Sequence, residues 1–223
     1  MCGIAGIADS SGALIEQGLL ESMASAMAHR GPDDDGFYRN PAAAGGASDS
    51  GSSAALAFRR LSIIDLTGGH QPLSNEDGSV QLVFNGEIYN YLELTEQLRA
   101  RGHKFATGSD AETVIHLYES HGIDGACRRL RGMFAFALWD QNRGELHIAR
   151  DRVGKKPLVY HSTGGRISFA SELASLLADR KIERRIDWEA VYHYLTFMCV
   201  PSPLTAFQGV KTVSYTHLTL PTN

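Results

Sequence analysis

Two stretches of the chain dictate antiparallel strands. Met133–Trp139 and Leu146–Ala149 are apolar runs that flank Asp140-Gln141-Asn142-Arg143-Gly144, and Leu158–His161 and Ile167–Ala170 repeat the pattern around Gly164-Gly165. Short apolar runs bounded by turn residues read as strands, and connections this tight join antiparallel neighbours only. Residues 2–8 (CGIAGIA) are small and apolar and read as a further buried strand. Leu56–Asp65 and Val80–Phe84 are expected as two more, with Asn75-Glu76-Asp77-Gly78 supplying hairpin-turn chemistry between them.

Helical spacing of Leu14, Ile15, Leu19, Leu20, Met23 and Met27 predicts a helix over 14–29, ended by Arg30-Gly31-Pro32-Asp33. Two more are expected over Tyr91–Arg101 and Asp110–His121, the second opened by an S-x-x-E capping box from Ser109 to Glu112. Short helices are expected at Glu172–Leu177 and Asp187–Phe197. Hairpins with clustered helices between them point to an α+β fold, with helices packed on antiparallel sheets. Residues 42–55, low in complexity and rich in small residues, read as a flexible surface loop. Residues 213–223 (VSYTHLTLPTN) stand apart as a Thr-rich tail with no evident pairing partner.

Composition narrows the function classes. A chain of 223 residues suits one sizeable domain plus a remnant, and its formal net charge of −4 disfavours a broad nucleic-acid or anionic-membrane footprint. Three cysteines (Cys2, Cys127, Cys199) form no CxxC pair and are too few for a disulfide framework. Asp9 interrupts the first apolar run, so no secretory signal is read, and no stretch reaches the ~18 apolar residues of a membrane span. The expected setting is cytoplasmic. The histidines form no HExxH, Asp33–Asp35 lacks EF-hand spacing and Gly154-Lys155-Lys156 is not a P-loop, so no metal is expected. Cys127 and Cys199 lie in apolar-patterned stretches and read as packing residues.

Cys2 admits two readings. A free cysteine is ordinarily a small buried hydrophobe. A small second residue also permits removal of Met1, which leaves one residue carrying a thiol and a free α-amine. With an unperturbed pKa of about 7.7–8.0, that amine can act as general base to its own thiol. Asn85-Gly86 is likewise either a hairpin turn or a pair of hydrogen-bond donors. From strand alternation alone, Arg59 or Arg60 could be an exposed strand residue, and Asp110 could be a helix-start acid.

The neighbouring motifs decide between these readings. Met1-Cys2-Gly3-Ile4-Ala5-Gly6-Ile7, Arg30-Gly31-Pro32-Asp33, Arg60-Leu61-Ser62-Ile63-Ile64-Asp65 and Asn85-Gly86-Glu87-Ile88-Tyr89-Asn90 occur in that order. Gly108-Ser109-Asp110-Ala111-Glu112, Asp151–Leu158 and Phe169-Ala170-Ser171-Glu172-Leu173 complete the series. Together, over residues 2–212, they resemble the glutaminase domain of glutamine-hydrolysing asparagine synthetases, class II amidotransferases with an N-terminal nucleophile.

The resemblance implies an N-terminal-nucleophile hydrolase fold, a four-layer α-β-β-α sandwich with antiparallel sheets. It implies that Cys2 attacks the side-chain amide of glutamine, with the Asn85 side chain and the Gly86 N–H as oxyanion donors. Arg60 is implied to hold the α-carboxylate and Asp110 the ammonium, helped around Glu87. Leu61, Ser62, Ile63 and Ile64 are implied to line the glutamine pocket. The implied division is a glutaminase domain over 2–186, a connector and start of a truncated synthetase domain over 187–212, and an atypical, foreign-looking tail over 213–223.

No cofactor is implied for this chain. ATP and Mg belong to the synthetase domain, whose SGGxDS-type loop does not occur in the sequence. The apolar face around Val191–Phe197 is expected to pack on that domain, and a homodimer is compatible with the family. A sugar-phosphate or phosphoribosyl amidotransferase would carry a TRWATHG-like motif where this chain has RLSIID. Two other readings stay open: a catalytically silent glutamine-binding or regulatory fragment, and an amidotransferase for another carboxylate acceptor.

Overall fold

The computed structural model describes residues 1–46, 51–61, 70–214 and the strand course of 218–220. One sheet contains β1 (Gly3–Asp9), β2 (Asp34–Arg39), β3 (Ser53–Arg60), β8 (Val159–Thr163), β9 (Arg166–Ala170) and β10 (Val210–Thr212), in the order β10-β8-β9-β1-β3-β2. The second contains β4 (Leu73–Ser74), β5 (Val80–Ile88), β6 (Gly132–Asp140), β7 (Glu145–Arg150) and β11 (Leu218–Leu220), in the order β11-β7-β6-β5-β4. The strand pairings within both sheets are antiparallel.

Alternation along the strands sorts the apolar residues into three layers. Ile4 and Ala8 of β1, Leu56 and Phe58 of β3, Ala135, Ala137 and Trp139 of β6, and Leu146 and Ile148 of β7 meet between the sheets. The opposite faces carry their own cores. Ala5, Ile7, Ala55 and Ala57 pack on α1 (Gln17–Ser25) and α4 (Leu173–Leu176) through Leu20, Met23 and Leu176. Leu82, Phe84, Phe134, Phe136 and Leu138 pack on α2 (Tyr91–Ala100) and α3 (Glu112–Arg129) through Leu94, Leu98, Val114 and Leu117. The result is the expected α-β-β-α sandwich. Both faces of both sheets are covered, which is why the strands read as continuous apolar runs rather than as alternating ones.

The last helix, α5 (Trp188–Phe197), departs from this scheme. Asp187 caps it by accepting from the Ala190 N–H at 3.1 Å, yet Ala190 is its one buried residue. Trp188, Tyr192, Leu195 and Phe197 are all at least 60% exposed.

Several local expectations are corrected. Residues 75–78 join β4 to β5, not β3 to β5, which lie in different sheets. A two-residue strand leaves too little pattern to be read, so the turn was matched to the wrong partner. β3 begins at Ser53, inside the stretch expected to be loop, because its alanines are small enough to pack against α1. The capping box does not form. Ala111 is the N-cap, and the Glu112 carboxylate turns back to accept from the Ala106 and Thr107 N–H groups at 2.7 and 2.8 Å. α3 runs on to Arg129 through a kink at Gly122, whose φ is 66°. Beyond β10, Val213 is buried and donates its N–H to the Leu158 carbonyl, and β11 pairs with β7.

A buried ion pair ties β9 to the turn after α4. Asp179 is 1% exposed and accepts from Arg166 Nη2 at 2.7 Å, from the Ser168 hydroxyl at 3.0 Å and from the Lys181 N–H at 3.1 Å. Burial pushes its pKa up, but the Arg166 hydrogen bond, with the other donors and the Arg166 charge, leaves it below the ordinary carboxylate value. Asp179→Ala strands the Arg166 charge and is expected to cost about 3 kcal/mol in urea unfolding at neutral pH. Because folding lowers this pKa, the contribution is complete above about pH 4 and fades as pH falls through the folded value. The gap between wild type and variant should therefore narrow progressively below about pH 4.

Candidate active site

Pairing of β1 with β3 sets Gly3 opposite Arg59, so the start of the first strand and the end of the third share one edge of their sheet. At that edge Cys2, Arg60 and Leu61 meet the end of β5 and the loop before α3. They enclose a cavity of about 340 Å³ lined by Cys2, Arg60, Leu61, Asn85, Gly86, Glu87 and Asp110, among others. This volume falls within the range of small-molecule sites. Seven of the ten residues singled out from the sequence are thus brought together. Ser62, Ile63 and Ile64 lie outside the described residues.

Arg30 and Ser171 hold the chain around Cys2. Its carbonyl accepts from Arg30 Nε at 3.0 Å, and Arg30 Nη1 binds Glu172 at 2.9 Å. Next in the chain, Ile4 donates to the Ser171 hydroxyl at 3.0 Å and its carbonyl accepts the Ser171 N–H at 2.8 Å. The Cys2 thiol, half-buried, faces the Leu61 carbonyl at 3.8 Å. A Cβ at Gly31 would collide with the Arg59–Arg60 peptide, so the turn after α1 can press against the end of β3 only with glycine there.

Asn85 and Gly86 are strand residues, not a hairpin turn: they oppose Ala135 and Phe134 of β6. Asn85 is 2% exposed, and its Nδ2 finds no hydrogen-bond partner among the described residues. A buried amide donor left unpaired costs about 1–3 kcal/mol, so this group is held ready at the expense of stability. A Cβ on Gly86 would strike the Met133 carbonyl and the Phe134 backbone, so glycine lets β5 and β6 close at this point.

Asp110 Oδ2 accepts from the Ile88 N–H at 2.7 Å. Burial raises the Asp110 pKa above its ordinary value, and the Glu87 charge adds to the rise, against hydrogen bonds from backbone N–H groups. A cation arriving beside it would relieve both effects. The ambiguity between the two arginines is resolved by the β3 pleat. Arg60 is buried in the cavity wall, whereas Arg59 turns away to the Gly31 carbonyl at 2.9 Å and to Asp35 at 3.6 Å.

Sequence reasoning missed three supports. Arg30 stands in a helix-ending word that also belongs to the motif series, but nothing in that word marks it as a support for Cys2. Gln71 pairs with Phe84 through both ends of its amide, accepting its N–H at 2.6 Å and donating to its carbonyl at 3.2 Å, immediately before Asn85. Asp151 accepts backbone N–H groups of Val153, Lys155 and Lys156, holding the turn that brings Lys156 to the cavity. An isolated Gln carries no periodic signal, whereas Arg30 and Asp151 each open a word of the motif series that could have flagged them.

A family profile described as "Glutamine amidotransferase domain" matches residues 1–222. The chain is 42% identical over 217 residues to "Asparagine synthetase [glutamine-hydrolyzing] 1" of Bacillus subtilis (strain 168), covering 96% of this chain and 32% of that protein. It is 41% identical over 225 residues to "Putative asparagine synthetase [glutamine-hydrolyzing]" of Mycobacterium tuberculosis (strain ATCC 25618 / H37Rv), covering 95% and 33%. The chain thus spans about a third of the length of these relatives. Among solved structures, glutamine phosphoribosylpyrophosphate amidotransferase from B. subtilis superposes with a TM-score of 0.61 at 23% identity, over 79% of this chain and 43% of that one. That likeness speaks to the fold alone. By its whole-length match, the chain belongs to the glutamine amidotransferase domain family, in the form carried by glutamine-hydrolysing asparagine synthetases.

Proposed function

We propose that this chain hydrolyses glutamine to glutamate and ammonia, with Cys2 as nucleophile. The observation that carries the reading is the buried Asn85 Nδ2, unpaired among the described residues, in the wall of the cavity that also contains Cys2. An amide donor with no partner, beside a thiol, suits a carbonyl oxygen that gains negative charge.

Removal of Met1 frees the Cys2 α-amine. The amine takes the thiol proton as sulfur attacks the glutamine amide carbon, and the oxyanion is met by Asn85 Nδ2 and the Gly86 N–H. The amine then returns the proton to the leaving nitrogen, which departs as ammonia and leaves a γ-glutamyl thioester. Water, deprotonated by the same amine, adds to the thioester, and sulfur leaves as glutamate forms. Arg60 binds the substrate α-carboxylate as a guanidinium fork, and Asp110, helped by Glu87, binds the ammonium. Leu61 contributes an aliphatic part of the cavity wall.

The ammonia serves ATP- and Mg-dependent amidation of aspartate to asparagine in a synthetase domain, for which the relatives' greater length leaves room. None of that chemistry runs through residues of this chain, which needs no cofactor for its own step. The exposed apolar side of α5 suits contact with such a domain. Among the described residues, no helix is long and apolar enough to cross a membrane. A cytoplasmic setting suits a thiol that must stay reduced.

Glutamate release from glutamine, with mass spectrometry of the chain after exposure to an electrophilic glutamine analogue, tests the reading. One adduct on Cys2, blocked by excess glutamine and absent from Cys2→Ala along with all turnover, is the expected result. A folded chain that binds glutamine without adduct or turnover would leave the silent-fragment reading standing. Asn85→Ala should lower kcat by about 10²–10³. Asp110→Asn should act mainly on KM, raising it about 10- to 100-fold through the loss of a charge-assisted contact. Gly86→Ala should cost about 1–3 kcal/mol by forcing β5 from β6, visible as a lower urea midpoint.

A further inference from the structure

Away from the cavity lining, α3 and the segment after α2 bring together three side chains that glutamine hydrolysis does not use. His116 and Glu119 share one face of α3 at i, i+3, and His103 reaches them from the segment that follows α2. His103 Nδ1 lies 3.2 Å from His116 Nδ1. Glu119 Oε2 lies 2.9 Å from His116 Nδ1 and 3.4 Å from His103 Nδ1. Neighbouring ligands around a tetrahedral ion with bonds of about 2.0–2.1 Å are separated by roughly 3.3 Å, so one ion can reach all three atoms.

We propose that His103 Nδ1, His116 Nδ1 and Glu119 Oε2 form a site for one divalent transition-metal ion of the zinc class, with water as the fourth ligand. Two imidazoles and one carboxylate are a donor set suited to Zn²⁺ and Co²⁺.

The surroundings supply the outer contacts that such ligands need. His103 Nε2 lies 2.7 Å from the Ser120 hydroxyl, which leaves Nδ1 free of its proton when Nε2 donates. Glu119 Oε1 accepts from Asn75 Nδ2 at 3.0 Å, turning Oε2 toward the histidines. His116 is 1% exposed, and its Nε2 makes no hydrogen bond among the described residues. The nearest charged partner of that nitrogen is Glu112 Oε1, at 3.6 Å, just beyond hydrogen-bond reach. A carboxylate behind a ligating imidazole is the common way to fix its tautomer and raise its basicity. Phe105 packs on the His116 ring with centroids 4.5 Å apart, while the partly exposed Glu119 side leaves an entry path.

An ion here would fasten α3 to the His103 segment. It would also act on Glu112, whose carboxylate organises the loop that ends in Asp110. No contiguous metal-binding motif marks this cluster in the sequence. His103 and His116 are thirteen positions apart in the chain and meet only through the packing of that segment on α3.

The proposal stands on this geometry alone and is independent of the glutaminase reading. Zn²⁺ is titrated into the full chain after chelator treatment, by calorimetry and by imidazole ¹⁵N spectra, with Co²⁺ as an absorption probe. The expected result is one ion per chain, shifted Nδ1 resonances of His103 and His116, and affinity reduced at least about 10- to 100-fold in both His103→Gln and Glu119→Gln. Absence of saturable binding overturns the proposal. So does binding that leaves those resonances in place or persists unchanged in both variants, as when the ion sits on Cys2, Cys127 or Cys199 thiolates. The spectra are read on the unaltered chain, so the test survives a variant that fails to fold.

Discussion

Between the two sheets, Ile4, Leu56, Phe58, Trp139, Ile148 and Phe169 bury one another, and the rest of the molecule is arranged around that layer. Each such side chain contributes about 1.5–3 kcal/mol when fully withdrawn from water, which fixes the sheets face to face and the register of every strand in them. The outer faces must then be covered as well, and α1 with α4 on one side and α2 with α3 on the other do so. Slipping β1 by one residue would turn Ile4 toward the helices and Ala5 toward the inner layer. It would also move Cys2 out of the cavity, so the position of that thiol is a consequence of core packing.

Polar groups at the strand ends fall into two kinds. Asp151, Gln71 and Glu112 spend their hydrogen bonds on backbone N–H groups and make the local chain rigid. Among the described residues Asn85 Nδ2 is buried without a partner, and Asp110 is held where burial disfavours its charge. An unpaired amide and a carboxylate whose charge is disfavoured both lower stability, and the satisfied set next to them opposes relaxation. The same division recurs behind the loop, where Ser120 and Asn75 engage the outer atoms of a His–His–Glu cluster whose inner atoms converge on one point.

The α5 helix marks where this self-sufficiency ends. Its apolar side chains have no neighbour to bury them, although Asp187 gives the helix a well-formed start. Local sequence makes the helix, and the solvent-facing aromatic residues show that its packing is not provided by the two sheets. The relatives that the chain matches are about three times as long.

Most strands and helices could be read in the chain because apolar runs and helical spacing are local, and the motif series around Cys2, Arg60, Asn85 and Asp110 pointed to the family. Pattern could not tell which sheet a doubly buried strand joins, since β3 and β5 look alike when both faces are apolar. It could not separate Arg59 from Arg60 until the pleat of β3 was known, nor find Arg30, Gln71 and Asp151 as supports. Glu112 was read as a capping residue because its spacing from Ser109 allowed that, and the loop N–H groups it actually satisfies are set by tertiary packing. Local pattern was enough for most of the longer elements, and the ordered motifs were enough for the family. Which side chains share a cavity, which polar groups stay unpaired and which histidines meet were decided by the tertiary structure, because contacts between distant residues depend on sheet order and strand register that no local pattern encodes.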